Sequence, residues 1–128
     1  MKGKYIPIEK LEIYKLSLRL SDIAWKEYEK LDWHDKKIMG DQFITSVDSV
    51  GANIVEGYSR YHYLDKIKFY YISRGSLSEA CNHWLPLLYK RKRISKETYT
   101  SIRKMNKEIE IKLNNFISAT FGAKKNQG

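Results

Sequence analysis

The stretch QFITSVDSVGANIVEGYSR, Gln42–Arg60, has apolar residues at the three- and four-residue steps of a helix inside a bundle. At the same spacing it carries four polar side chains where a simple core helix would place leucine or isoleucine: Ser46, Ser49, Asn53 and Glu56. A buried donor or acceptor without a partner costs about 1–3 kcal/mol, so these groups need partners. The stretch therefore predicts a hydrogen-bond network between helices, or a face that meets a partner subunit or a ligand.

Two helices are predicted on either side of a loop at Leu31–Lys37, in which Asp35 is placed to cap the second helix. The first helix follows Pro7, and the second runs from about Lys36 to Tyr61. The apolar stripe of the first helix is wider than one face because of three further residues: Tyr14, Leu18 and Trp25. This width predicts burial on two sides, as in a bundle helix that also meets another subunit.

The third predicted helix starts near Leu64, and the basic connection Tyr89–Ser95 separates it from a fourth amphipathic helix. Gly75 lies inside the third helix, where glycine costs about 1 kcal/mol relative to alanine, so we expect another helix to pass close to it. Pro86 has no amide hydrogen and is expected to loosen the helix around Asn82. Each segment has the 3.6-residue apolar period, and nothing resembles a series of strands.

Four amphipathic helices with short connections predict an all-α, up-down-up-down antiparallel four-helix bundle. The chain of 128 residues is long enough for one domain with one core, which we expect to span residues 1–121, followed by a disordered basic tail at 122–128. No apolar run approaches the roughly 20 residues of a membrane span, so we expect no membrane contact. The single cysteine, Cys81, excludes an internal disulfide. Together with the charged N-terminal stretch, these features predict a cytoplasmic protein.

Positive charge is concentrated in the last part of the chain. The net charge is +9, and residues 90–128 contain eleven Lys and Arg against three Asp and Glu. Such a patch attracts nucleic acid through phosphate contacts, although an ordinary solvated basic face has the same composition. The candidate RNA- or DNA-binding residues are Lys90, Arg91, Lys92, Arg93, Arg103, Lys104 and Lys107. Tyr89 and Tyr99 are candidates for stacking on bases.

A second set of polar residues faces across the second and third helices: Ser49, Asn53, Glu56, Arg60, Arg74, Ser76 and Glu79. We interpret this polar constellation as a network that fixes helix register, with a ligand or partner site as the second possibility. The enzyme alternative is a small metal- or ligand-binding bundle centred on Glu56 and Glu79. Di-iron bundles use Glu-x-x-His pairs, whereas Glu79 and His83 are four residues apart. We therefore expect no catalytic residue, no metal and no cofactor.

Two motifs of the chain resemble those of the 23S rRNA intervening-sequence protein family. NIVEG at Asn53–Gly57 is followed by Arg60, and RGSLSEA lies at Arg74–Ala80 on the next helix. Gln42 and Ser49 also match the family pattern. The resemblance covers roughly residues 11–116, and its two linked motifs make it fairly specific. The sequence departs from the pattern beside the second helix, at Ile44, Thr45, Gly51 and Val55.

The resemblance implies a four-helix bundle that assembles as a homopentamer, in a bacterial family mostly without an assigned activity. Members are encoded inside insertions of 23S rRNA genes or elsewhere in the genome. A distant relative, the accessory variability determinant of diversity-generating retroelements, is a basic pentamer that works with a reverse transcriptase and nucleic acid. The expected partners are therefore further copies of the chain, RNA or DNA, and a protein such as a reverse transcriptase.

Overall fold

Four long helices, numbered α1 to α4, follow a short 3-10 turn at Ile8–Lys10. The computed structural model describes residues 5–127, and the side chains of residues 5–123. Helix α1 is Glu12–Glu29, α2 spans 33–58, α3 spans 63–90 and α4 is Lys96–Gln127. No strand occurs among the described residues, so the predicted all-α four-helix bundle is confirmed. None of the described helices is both long and apolar enough to cross a membrane.

Consecutive helices run in opposite directions. The Tyr28 hydroxyl donates to Asp41 at 2.6 Å, and the Ser21 hydroxyl donates to Asp48 at 2.5 Å, so rising residue numbers in α1 meet falling numbers in α2. The same opposition relates α2 to α3 and α3 to α4 in the contacts Val50–Ser73, Tyr58–Lys66, Cys81–Arg103 and Asn114–Arg74. Helix α4 also packs against α1, which closes the four helices around one core.

The core is formed by the apolar stripes that all four helices turn inwards. Its largest fully buried side chains include Leu16, Leu20, Phe43, Ile54, Tyr70, Leu85, Ile109 and Leu113. Gly57 lets α3 pack tightly on α2, because a Cβ atom there would lie 2.6 Å from Cε1 of the Tyr70 ring. A larger residue at this position would force the two helices apart.

Helix α2 begins earlier and with a different cap than the sequence predicts. Its first turn starts at Trp33, and the Asp32 carboxylate accepts a hydrogen bond from the Asp35 amide at 2.8 Å. The prediction that Asp35 caps this helix is therefore wrong. Asp35 is buried, and its carboxylate accepts a hydrogen bond from Nε of Arg93 at 2.5 Å. The Asp35 carboxylate thus forms a tertiary ion pair instead of the helix cap that the local sequence predicted.

Helix α3 contains a wide π-type turn at Ala80–Trp84, in the region where Pro86 was expected to loosen it. Within this turn the Leu85 amide donates to the Ala80 carbonyl, so the next amide in the same register would be that of Pro86. Because proline has no amide hydrogen, the Cys81 carbonyl needs another donor. Arg103 of α4 supplies it at 2.8 Å.

The ends of two helices differ from the sequence expectations. Helix α2 ends at Tyr58 rather than near Tyr61. Helix α4 continues to Gln127, whereas composition predicts a disordered tail from Gly122. Extending an existing helix by one residue costs less than starting a new one, which favours this continuation. Residues 1–4 of the predicted domain and residue 128 of the predicted tail lie outside the described residues.

Candidate nucleic-acid interface

Ser49 is the centre of the part of the polar constellation that links α2 to α3. The side-chain amide of Asn53 donates to the Ser49 carbonyl at 2.8 Å and to its hydroxyl at 2.9 Å. The Ser76 hydroxyl donates to the same Ser49 hydroxyl at 2.9 Å. All three side chains are half-buried, so they join the two helices at the rim of the core.

The two glutamates of the enzyme alternative have separate partners. Glu56 pairs with Arg60 at 2.8 Å, and both side chains are exposed. Glu79 accepts a hydrogen bond from the Trp84 indole at 2.9 Å. Among the described residues, no group of three His, Cys, Asp or Glu side chains is placed to hold a metal ion.

Two further polar contacts fix α3 between its neighbours. The fully buried Ser73 hydroxyl donates to the Val50 carbonyl of α2 at 2.8 Å, and sequence analysis did not identify it. Its position three residues after Tyr70, on the inner face, is the signal that could have revealed it. Arg74, the last member of the constellation, instead donates to Asn114 of α4 at 2.9 Å.

Cys81 is buried in the core against α4. Burial raises the pKa of its thiol to about 12, and the nearby Arg103 guanidinium opposes that shift only in part. At neutral pH the thiol is therefore protonated, whereas the reactive nucleophile is the thiolate. This environment suits a core packing residue.

The predicted basic residues occupy two places. Lys90, Arg91 and Lys92 lie exposed at the end of α3 and in the loop that follows. Lys104 and Lys107 lie exposed on α4, where they line a shallow groove of about 700 Å³.

The two remaining candidate arginines make contacts inside the chain. Arg93 is bonded to Asp35, and Arg103 donates to the Cys81 carbonyl and, at 2.8 Å, to the Asn82 side chain. Both guanidinium groups thus have structural partners. Lys90, Arg91, Lys92, Lys104 and Lys107 remain as the exposed candidates.

The ion pair between Asp35 and Arg93 brings the basic loop to the first turns of α2. There Lys36 and Lys37 add two cations that the sequence-based selection did not include. Their ammonium groups each lie 5.0 Å from an aromatic ring centroid, those of Tyr28 and Trp33 respectively. We refer to Lys36, Lys37, Lys90, Arg91 and Lys92 as the basic end of the bundle.

Tyr89 and Tyr99, the predicted stacking residues, stack on each other. Their ring centroids are 4.3 Å apart with an interplanar angle of 15°, and both residues are half-buried. Each ring therefore already covers one face of the other. The pair joins the end of α3 to the start of α4 behind the basic loop.

Apolar side chains are also exposed on the outer face of α1. Leu18 and Trp25 are 46% and 48% exposed, and Leu18 borders a groove of about 270 Å³ between α1 and α2. On α3, a Cβ atom at Gly75 would have no neighbour within 4 Å among the residues that the structure describes. The prediction that another helix of the chain passes close to Gly75 is therefore wrong, and this backbone is open on the surface.

Comparisons with known proteins agree with this architecture. The family model of the 23S rRNA-intervening sequence protein matches residues 9–115. A 1.70 Å crystal structure of a protein with unknown function, from the S23 ribosomal protein family of Bacteroides thetaiotaomicron, is similar with a TM-score of 0.75. The two chains are 29% identical, over 82% of this chain and 97% of that one. No curated protein sequence matches the chain.

Proposed function

The chain belongs to the 23S rRNA-intervening sequence protein family, and we propose that it is a non-enzymatic, homopentameric scaffold that binds RNA or DNA through its basic end. The observation that carries the proposal is the ion pair between Asp35 and Arg93, which gathers cations from two distant parts of the sequence at one end of the bundle. Such a cluster neutralises phosphates and releases the counterions that surround them. This function is compatible with a cytoplasmic protein.

Binding of this kind depends on charge more than on base sequence. Affinity is expected to fall steeply as salt rises, with a logarithmic slope of about 0.7 to 0.9 for each neutralised phosphate. The exposed cations of α4, Lys104 and Lys107, extend the positive surface along the helix that follows the basic loop. Contacts to phosphate position a nucleic acid but carry no sequence information, so little sequence preference is expected.

Fluorescence anisotropy with a labelled RNA, measured between about 50 and 200 mM salt, tests the proposal. The binding variant replaces three cations of the basic end with glutamine: Lys90, Arg91 and Lys92. Arg93 is left unchanged because it supports the fold. A control variant removes the same charge from exposed positions towards the opposite end of the bundle: Lys10, Arg60 and Lys68. We expect the binding variant alone to lose affinity and to reduce the salt slope by about one for each lost contact. Equal losses in both variants would contradict a localised site.

Self-association is supported by the exposed apolar face of α1. Leu18 and Trp25 lie seven residues apart, so they share one face of the helix, and each is about half exposed. The open backbone at Gly75 is a second surface that another copy could approach closely. A cyclic assembly needs two different surfaces that meet, and these two fit that requirement.

Native mass spectrometry tests the pentamer directly. The wild-type protein is expected at the mass of five 15.2 kDa chains. Replacing Leu18 and Trp25 together with glutamate should give monomers, because a charged group cannot be buried there without a partner. Leu64→Glu, at an exposed apolar position in the first turn of α3, should leave the pentamer intact. A monomeric wild-type protein would refute this part of the proposal.

A protein partner, such as a reverse transcriptase, is a further part of the proposal that rests on the resemblance of the two motifs. An acidic surface on that partner would meet the same basic end as the nucleic acid. Competition between labelled RNA and the purified partner distinguishes a shared surface from separate ones. Displacement of RNA by the partner is the expected result for a shared surface.

A further inference from the structure

Trp33 is the most exposed tryptophan of the chain, and it lies in the first turn of α2 beside the basic end. Its side chain is 73% exposed, whereas Trp25 is 48% exposed and Trp84 is half-buried. A tryptophan ring is large and usually buries most of its surface. Leu31 and Met39 are the nearby residues that join the core, and Trp33 is not part of that cluster, so packing inside the chain does not account for the indole.

Cations of the basic end adjoin Trp33, as does the Asp32 carboxylate that caps α2. Lys37, one turn later, places its ammonium 5.0 Å from the ring centroid. Asp35 lies two residues after Trp33, and its carboxylate pairs with Arg93. This pair keeps the basic loop, in which Arg93 also donates to the Arg91 carbonyl, next to the first turn of α2. An exposed aromatic ring among cations is the combination by which proteins bind single-stranded nucleic acid, because the cations contact phosphates while the ring stacks on a base.

Lys92 in the same loop has a positive backbone φ of 61°. Residues other than glycine, asparagine and aspartate seldom adopt this conformation, which costs roughly 1–2 kcal/mol. A lysine at a position that favours glycine is consistent with a side chain that is used for binding.

We propose that Trp33 is a base-stacking residue of the basic end, and that the ligand is therefore a nucleic acid with unpaired nucleotides, a single strand or a loop. This inference rests on the proposed function and specifies its ligand class. Both faces of a base inside a duplex are covered by neighbouring base pairs, so an indole at the protein surface can stack only on an unpaired or terminal base. Phosphate contacts alone would not distinguish single strands from duplexes in this way.

The test measures affinity for an unstructured pyrimidine strand of about 12 nucleotides, as RNA and as DNA, and for a longer duplex in which terminal bases are a small share. Trp33→Ala is expected to weaken binding of both single strands by about 5- to 150-fold, the range for losing one stacked base. Binding of the duplex should change less than about twofold, and Trp33→Phe should retain most of the single-strand affinity. The salt slope should stay at the wild-type value, since no charge is removed.

Tyr61→Ala is the matched control, because Tyr61 is an aromatic residue that is 88% exposed at the opposite end of the bundle. It should bind as the wild type does.

A variant in which Trp25 and Trp84 are replaced by phenylalanine leaves Trp33 as the single tryptophan. Its fluorescence is expected to be quenched by the single strand and to change little with the duplex.

Three outcomes would overturn the inference. The first is unchanged single-strand affinity in Trp33→Ala while the variant lacking Lys90, Arg91 and Lys92 loses binding, in which case the proposed function stands and the stacking role does not. The second is an equal loss for strand and duplex. The third is a changed oligomer mass for Trp33→Ala in native mass spectrometry, which would make Trp33 an assembly residue. If the wild-type protein binds no nucleic acid even at low salt, the proposed function itself fails.

Discussion

Two glycines inside helices should respond to alanine in opposite ways. At Gly57 the new Cβ atom would lie 2.6 Å from Cε1 of Tyr70, 2.9 Å from Cδ1 of the same ring and 3.0 Å from the Lys66 carbonyl oxygen. Tyr70 is only 1% exposed, so its ring has little room to move. At Gly75 the same atom would meet no atom of residues 5–123 within 4 Å.

The magnitudes follow from two opposing effects. Alanine is more favourable than glycine in a helix by about 1 kcal/mol, and this gain applies at both positions. Overpacking a filled core costs about 1–3 kcal/mol, and this cost applies at Gly57 alone. Gly57→Ala should therefore destabilise the folded chain by up to about 2 kcal/mol, whereas Gly75→Ala should stabilise the isolated chain by about 1 kcal/mol.

Urea denaturation followed by circular dichroism measures both free energies of unfolding. Any association of the chains would contribute to apparent stability. Each glycine substitution should therefore be measured in a protein that also carries Leu18→Glu and Trp25→Glu, or at several protein concentrations. A Gly57→Ala variant as stable as Gly75→Ala would refute the close packing of α2 on α3. In the protein without the two glutamate substitutions, loss of the stabilisation at Gly75 would indicate that another copy covers this backbone.

Three other predictions concern single side chains. Arg93→Ala leaves the buried Asp35 carboxylate without its ion-pair partner and should destabilise the protein by about 1–3 kcal/mol in urea denaturation, while Lys90→Gln should have no measurable effect. Cys81, whose pKa is raised to about 12, should react with a thiol reagent only on unfolding. Its contribution to the free energy of unfolding should be present below pH 9.0 and be lost as the pH rises towards about 12. Lys92→Gly should stabilise the fold by about 1 kcal/mol in the same denaturation assay and weaken nucleic-acid binding, so that stability and affinity change in opposite directions.

The four helices were predictable because the apolar period is a local property of the sequence. The start of α2 was not, because Asp32 and Asp35 are both suitable caps and lie three residues apart. What distinguishes them is Arg93, which is 58 residues from Asp35 in the sequence and pairs with it in the fold. A choice that depends on a distant partner cannot be made from local pattern alone.

The same limit applies to the glycines and to the candidate site. Gly57 and Gly75 look alike in sequence, yet one packs against a tyrosine and the other faces open space. Composition identified the basic loop, but Lys36 and Lys37 lie in a region of mixed charge and become part of the basic end only through the Asp35 ion pair. A count of charged residues along the sequence therefore underestimates the positive charge at the basic end of the folded bundle.

The geometry of a ring connects the two surfaces that the proposal assigns to assembly and to binding. In a closed cyclic oligomer every copy of a given residue lies at the same height along the symmetry axis, so all five basic ends of the proposed pentamer would face the same side. One nucleic-acid strand could then contact several copies, and each further contact would be intramolecular, which raises avidity by about 10²- to 10⁴-fold without any new kind of contact. The variant carrying Leu18→Glu and Trp25→Glu is expected to be monomeric with its basic end intact, so it separates these effects. Its affinity for a short strand should equal that of the pentamer per site, and its affinity for a long strand should be far lower. Equal affinities for the long strand would show that assembly and binding are independent.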